Sequence, residues 1–280
     1  MTDKTSLGDR MKLYERQYSG QILLPIVPII ARVDGRAFHT FCAGLKKPYD
    51  QRLSDLMIET TKYLVSETGA RVGYTQSDEI SLIWYEESLD SEVFFDKKLL
   101  KMTSILAAMA TAYFNKKLPE YLPEKADKIP LFDGRVFNVS ALWEATNYLI
   151  WREMDATRNS ITQAALSIYS HNELHKMDSS QKQEMLWLKG INWNDYWDGF
   201  KKGTYVAKRT TQRPFTVDEI EKLPKHHNAR KNPNLVIERQ DTVILNIPPL
   251  RKIKNREDVI FDGKEPILKD VENRSTENDS

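Results

Sequence analysis

The chain has 280 residues, and its 41 Lys/Arg against 40 Asp/Glu give a formal net charge of +1. That length is ample for a real core in one large or two small domains. The near-neutral balance excludes a polyelectrolyte, so any affinity for nucleic acid needs a local basic surface. Cys42 is the only cysteine, which rules out a disulfide within the chain and suits a reducing cytosol. No sequence-local basic partner supports Cys42 as a nucleophile. The start, Met1-Thr2-Asp3-Lys4, lacks an apolar stretch suited to a signal peptide. Nor is there a run of ~20 apolar residues to cross a bilayer. The expectation is a cytoplasmic protein with no membrane partner.

In chain order, the β-branched run ending at Val33 predicts a strand over about Ile29–Val33, after Pro25 and Pro28. It runs into Asp34-Gly35. Leu53, Leu56, Met57, Thr60, Leu64 and Val65 predict a helix over 52–68, stopped by Gly69. Two short β-like runs, 71–75 and 79–85, flank Gln76-Ser77-Asp78 and predict a hairpin with an acid at its tip. Glu79 follows on the alternate face of that strand from Asp78 and is left out of the metal shell for that reason. A helix is expected over 96–117, with Lys97, Lys98 and Lys101 in its first turn, where cations oppose the macrodipole. The segment Phe132–Val139 reads as a turn and strand, with Asp133-Gly134-Arg135 as a structural turn. Ser140 is then expected to cap a long helix over 142–169.

This order, β-α-β-β-α-β, implies an α+β fold: a ferredoxin-like, polymerase palm core with additional helices and a C-terminal extension. Residues 1–140 would form the palm-like catalytic core. Residues 141–215 would complete the catalytic domain with helical and basic parts, and 216–280 would form the C-terminal extension, with a polar, disordered end. Residues 201–231 hold nine Lys/Arg against three Asp/Glu, an electrostatic footprint for RNA in which Lys201, Lys202, Lys208 and Arg209 are candidates. His171 and His175 lie at i and i+4, but Asn172 stands where a zinc-protease pattern needs glutamate.

Two strands ending in Asp34 and Asp78 can hold divalent metal: clustered carboxylates repel, and a cation removes that conflict. Beyond this, six ordered motifs resemble those of the tRNA(His) guanylyltransferase superfamily. They are Asp34-Gly35-Arg36-x-Phe38-His39, Lys47-Pro48-x-Asp50, Gln76-Ser77-Asp78-Glu79, Phe132-Asp133-Gly134-Arg135, Tyr148-Leu149-x-Trp151-Arg152 and Lys202-Gly203. The resemblance spans about residues 20–208. It implies a nucleotidyltransferase, a tetramer in the family, that adds nucleotides in the 3′–5′ direction to the 5′ end of tRNA. ATP, GTP or other NTPs would be substrates, and two Mg²⁺ would be held by Asp34, the Gly35 carbonyl and Asp78. The nucleotide would lie along Asp34, Gly35, Arg36, Ala37, Phe38 and His39 and near Ser77 and Asp78, with Lys47 and Lys101 as phosphate contacts. Glycine at 35 would let the backbone approach the metal and triphosphate.

Thr157-Arg158-Asn159-Ser160 stands where the histidine-tRNA enzymes carry His-Ile-Asn-Asn. The missing histidine resembles the branch that repairs truncated 5′ ends by templated addition, rather than the branch that adds guanosine to tRNA(His). Arg158 and Asn159 join the RNA-binding candidates, and packing is expected for Trp151. The rival readings are a palm-fold nucleotidyl cyclase or phosphotransferase, and a non-catalytic RNA-binding module.

Overall fold

A computed structural model describes residues 6–89, 91–232 and 234–269. The chain opens with α1 (Leu7–Ser19), a helix without buried residues that the sequence reading did not anticipate. Then follow β1 (Ile29–Gly35), the single-turn α2 (Phe38–Phe41), α3 (Gln51–Thr68), β2 (Val72–Gln76), β3 (Glu79–Trp84), α4 (Leu99–Tyr121) and β4 (Phe132–Asn138). The expected β-α-β-β-α-β order is thus observed, and the four strands pair antiparallel in the order β4-β1-β3-β2. After α5 (Leu142–Leu166), α6 (Ser179–Leu188) and α7 (Asp198–Lys202), β5 (Thr204–Pro214) adds to β2 and β6 (Val236–Leu245) completes six strands.

Alternation along the strands sorts two cores. Ala31, Val33, Ile80 and Leu82 face α3 and α4, where Leu56, Leu64, Met102, Leu106, Ala110 and Phe114 meet them. The α4 residues recur every four positions, one stripe of a helix, and each such large side chain is worth about 1.5–3 kcal/mol on burial. Ile30, Tyr74, Ile83 and Tyr205 face the other way, against Ala145 and Leu149 of α5 and against Leu250, Ile253 and Ile260. Coverage on both faces buries every residue of β2 and β3, the polar Thr75, Gln76, Glu79 and Ser81 included.

Several expectations are corrected. The helix after Phe94 starts at Leu99, not Asp96. Phe95, Asp96 and Lys97 carry left-handed backbone (φ 52–62°), so Lys97 and Lys98 precede the helix. Lys98 is paired with Asp96 at 3.1 Å, which leaves less charge against the dipole than the sequence suggested. Ala141, not Ser140, is the N-cap of α5, and the helix ends at Leu166. Asp133-Gly134-Arg135 is strand, not turn. A Cβ on Gly134 would stand 2.9 Å from the Thr103 carbonyl, so glycine sets the close approach of α4 to β4. Position 215/216, the expected start of an extension, falls in the connection between β5 and β6. The following residues return to the core through Leu250, Ile253, Val259, Ile260 and Phe261. The polar tail from Asp270 lies outside the described residues, as does the start, residues 1–5. Among the described residues no helix is long and apolar enough to cross a membrane.

Candidate active site

The site lies where β1 ends beside the tip of the β2–β3 hairpin. Asp34 pairs in register with Glu79 on one side and Asp133 on the other, so three acids stand in a row across three strands. Asp34, Glu79 and Arg32 share the α5 face of the sheet, as the alternation requires. The hairpin turns at Ser77, whose φ is 51°, and Ser77 Oγ donates to Asp78 Oδ1 at 3.0 Å. The Asp78 carbonyl accepts the Gly35 amide at 3.0 Å. That bond ties the two predicted carboxylate-bearing segments together.

The charges differ from acid to acid. Glu79 is buried, and Arg152 meets it twice, Nε to Oε1 at 2.7 Å and Nη2 to Oε2 at 2.6 Å. Arg32 Nη2 adds a contact at 2.9 Å. Burial pushes the Glu79 carboxyl up, against the pull of Arg152. Asp34 has Arg32 at 3.5 Å and Arg135 at 3.9 Å, both beyond good hydrogen-bond distance. Asp78 forms no ion pair among the described residues. Burial pushes its carboxyl up and the Asp34 charge adds to the shift, partly offset by the Ser77 hydroxyl. The pair Asp34/Asp78 therefore holds excess negative charge in a half-buried place, which is the condition a divalent cation relieves. The donor set is hard oxygen, suited to Mg²⁺. No cluster of three His, Cys, Asp or Glu side chains occurs among the described residues, so a backbone carbonyl such as that of Gly35 would have to complete the set.

Strand alternation does not exclude Glu79, which shares the α5 face with Asp34; what removes it from the metal shell is that its oxygens are occupied by two arginines. Arg152, and not Trp151, is the buried member of the Trp-Arg motif. Trp151 is 49% exposed, correcting the expectation of packing, and its ring lies 4.5 Å from the Arg152 guanidinium. The packing partner on that turn is Tyr148, whose hydroxyl is 3.1 Å from Ser81 Oγ.

The Gly35–His39 turn is built on Phe38. Its ring is buried among Phe41, Phe114 and Phe132 at 5.1–5.7 Å, so only its backbone can meet a ligand. A Cβ on Gly35 would overlap that ring. Close packing, in addition to any ligand, therefore requires glycine there. The Arg36 amide is already bonded to the Leu131 carbonyl at 2.8 Å, which removes it from the expected phosphate nest. Ala37 is left-handed (φ 54°) and leads into α2, whose first amides have no partner within the helix. His39 is exposed beside Thr40 Oγ1. Cys42 is pushed up to about 11 by burial and the Asp78 charge, so it is a thiol at neutral pH.

Lys47 is exposed on the loop after α2. Two residues on, Tyr49 stacks on Phe200 at 4.5 Å, joining that loop to α7. Lys101 stands apart. Its ammonium lies 4.5 Å from the Phe95 ring, and the adjoining Lys97 and Leu99 are bonded to Leu23 and Gln21, ahead of the opposite end of β1.

Thr157, Arg158, Lys201 and Lys202 line one cleft of about 580 Å³. Asn159 is exposed and donates to Asp155. Gly203 (φ 77°) lies against Tyr74, whose hydroxyl donates to the Lys202 carbonyl at 2.8 Å. Lys208 and Arg209 follow Ala207, which pairs with Val72 at the far end of β2 from the hairpin tip. Lys208 caps the Ser66 carbonyl, and Arg209 holds the carbonyls of Val259 and Ile260. His171 and His175 are exposed, in turns rather than a helix.

The tRNAHis guanylyltransferase (Thg1) family matches residues 8–140. A tRNA(His) guanylyltransferase of Neurospora crassa is 30% identical over 203 residues, covering 66% of this chain and 68% of that protein. A solved bacterial tRNA(His) guanylyltransferase (Thg1)-like protein in complex with ATP is 40% identical with a TM-score of 0.68, covering 73% of this chain and 87% of that one. Another, in complex with GTP, is 32% identical with a TM-score of 0.69 over 89% of this chain and 95% of its own. With the paired carboxylates at the strand ends and this degree of likeness over most of both lengths, the chain belongs to the tRNA(His) guanylyltransferase family of nucleotidyltransferases.

Proposed function

We propose that this chain extends the 5′ end of tRNA in the 3′–5′ direction, with ATP, GTP or other NTPs as substrates. The observation that carries the reading is the excess negative charge shared by Asp34 and Asp78 on adjoining segments. Asp34, the Gly35 carbonyl and Asp78 would hold two Mg²⁺. Bound there, Mg²⁺ would neutralise the triphosphate and favour ionisation of an attacking hydroxyl. The backbone from Ala37 to His39 and the side chains of Ser77 and Lys47 would orient the nucleotide. Glu79, held by Arg152 and Arg32, would keep β3 in register beside Asp34.

A 3′-hydroxyl attacks the activated 5′ phosphate of the RNA, and pyrophosphate or AMP leaves. Watson–Crick pairing with the opposite strand can select the base, so the protein need not read it. Thr157 in place of the family histidine favours templated repair of truncated 5′ ends over guanosine addition to tRNA(His). The working form would be a cytoplasmic homotetramer.

The test is incubation with 5′-truncated tRNA, ATP, NTPs and Mg²⁺. Templated extension of the 5′ end is expected. Absence of extension on every truncated acceptor stem overturns the reading, and product formed from NTP without RNA would indicate a cyclase or phosphotransferase instead.

A further inference from the structure

The cleft lined by Arg158, Lys201 and Lys202 is completed by a segment distant in sequence. Pro249, Arg251 and Lys252 form part of its wall, and that wall is pinned from beneath. Glu153, buried under the cleft, accepts the Leu250 amide at 3.2 Å and the Tyr205 hydroxyl at 2.9 Å. Arg256 Nε holds the Leu250 carbonyl at 2.8 Å, and the Leu250 side chain is fully buried. The two cations of this turn are therefore presented by a fixed backbone.

The lining carries five cations, Arg158, Lys201, Lys202, Arg251 and Lys252, against two acids, Glu153 and Asp198. Most of them already have partners. Lys201 and Lys202 share Asp198 at 3.0 and 3.1 Å, and Arg158 meets Asp155 at 3.2 Å. Arg251 and Lys252 are exposed, and among the described residues their side chains make no hydrogen bond or ion pair, although the Arg251 charge acts on Glu153. At about 580 Å³ the cleft has the size of a ligand site. Helix α5 links it to the candidate active site. Arg158 lies six residues along α5 from Arg152, about 9 Å at helical rise, and Arg152 binds Glu79, the register partner of Asp34.

We propose that Arg251 and Lys252 complete an RNA-backbone site, in which the cleft between α5, α7 and the 249–252 turn holds phosphates of the acceptor strand beside the 5′ end. This rests on the reading that the substrate is RNA. The ligand is a polyanionic strand rather than a free nucleotide: the five cations of the cleft come from three separate segments, α5, α7 and the 249–252 turn, and Asp34, Gly35, Ser77 and Asp78 are not among its lining residues.

The test is fluorescence anisotropy of a labelled tRNA acceptor-stem hairpin across a KCl series, for the full chain and for Arg251→Ser/Lys252→Ser. The double variant should lose several-fold in affinity, and its slope of log K against log salt should fall in magnitude by about 1.5. Lys252→Arg, which keeps the charge, should retain the Lys252 share. An unchanged salt slope overturns the site. A parallel titration with Mg²⁺-GTP separates the nucleotide alternative, because weakened GTP binding with unchanged RNA binding also overturns it. Binding is read without turnover. A wild-type chain that binds the hairpin but never extends it therefore refutes the proposed reaction and leaves the cleft standing. A chain that extends RNA while the double variant keeps its slope refutes the cleft alone.

Discussion

Glu79 and Asp78 are sequence neighbours, yet their surroundings are opposite. Glu79 is buried, carries both oxygens against Arg152, and has Arg32 at 2.9 Å. Asp78 stands at the hairpin tip with a serine hydroxyl and the charge of Asp34 for company. The first is a neutralised strut between β3 and α5; the second is a carboxylate that no cation of the described residues pairs with. The comparison teaches that a carboxylate's role at a strand end follows from how completely the protein itself neutralises it, because a metal needs charge that remains unmatched.

The strongest way to break this contrast is to remove the unmatched charge. Asp34→Asn and Asp78→Asn should each lower kcat/KM for 5′ extension by about 10³-fold or more, some 4 kcal/mol of barrier. Circular dichroism should be unchanged. Activity within tenfold of wild type in either variant would show that the pair does not hold the catalytic ions.

Removing the strut should instead cost stability. Arg152→Met strands Glu79 in the core and should lower unfolding free energy by about 3 kcal/mol, with Arg32 moderating the loss. Denaturant titration measures it. The double variant Arg152→Met/Glu79→Met should recover most of that loss, since an apolar pair of similar volume leaves no unpaired charge. If the two single losses simply add, the strut is not a coupled pair.

Asp78 provides a smaller, opposite effect. Its carboxyl is raised in the fold, so ionising it costs the folded state more than the unfolded one. That cost is absent below the ordinary carboxylate range, grows as pH rises through it, and is complete above the raised value. Without divalent ions, Asp78→Asn should raise Tm by about 2 °C at neutral pH, with the gain shrinking in acid. Millimolar Mg²⁺ should raise the Tm of the wild type and much less that of the variant. A lower Tm for the variant at pH 7 would contradict the electrostatic account. The smallest change is expected at Trp151: half-exposed and offering one face to Arg152, it should lose about 1 kcal/mol or less in Trp151→Ala by the same denaturant titration.

Much of the palm core is legible along the chain. The helix from Gln51 to Thr68, its glycine stop, and the hairpin with Asp78 at its tip follow from periodicity and turn chemistry within a few residues. The exposure of Trp151 departs from the expected packing for a physical reason. On a helix, apolarity suggests the buried member, but a facing carboxylate 73 residues away made burial of the arginine the better solution. The amide of Arg36 departs from the expected nest for the same reason: its partner, Leu131, comes from the segment leading into β4. Helix α1 leaves no apolar stripe to read in the sequence, because no residue of it is buried.

Local sequence determined where strands end in acid and that two such ends could meet, because strand alternation, turn residues and helical spacing act over a few positions. Tertiary packing decided which acid is neutralised, why Gly35 must be small, and how residues near 158, 201 and 251 come to share one cleft. Those outcomes depend on partners such as Glu153 and Leu250, 97 residues apart, whose meeting is set by the order of strands in the sheet and by no pattern along the chain.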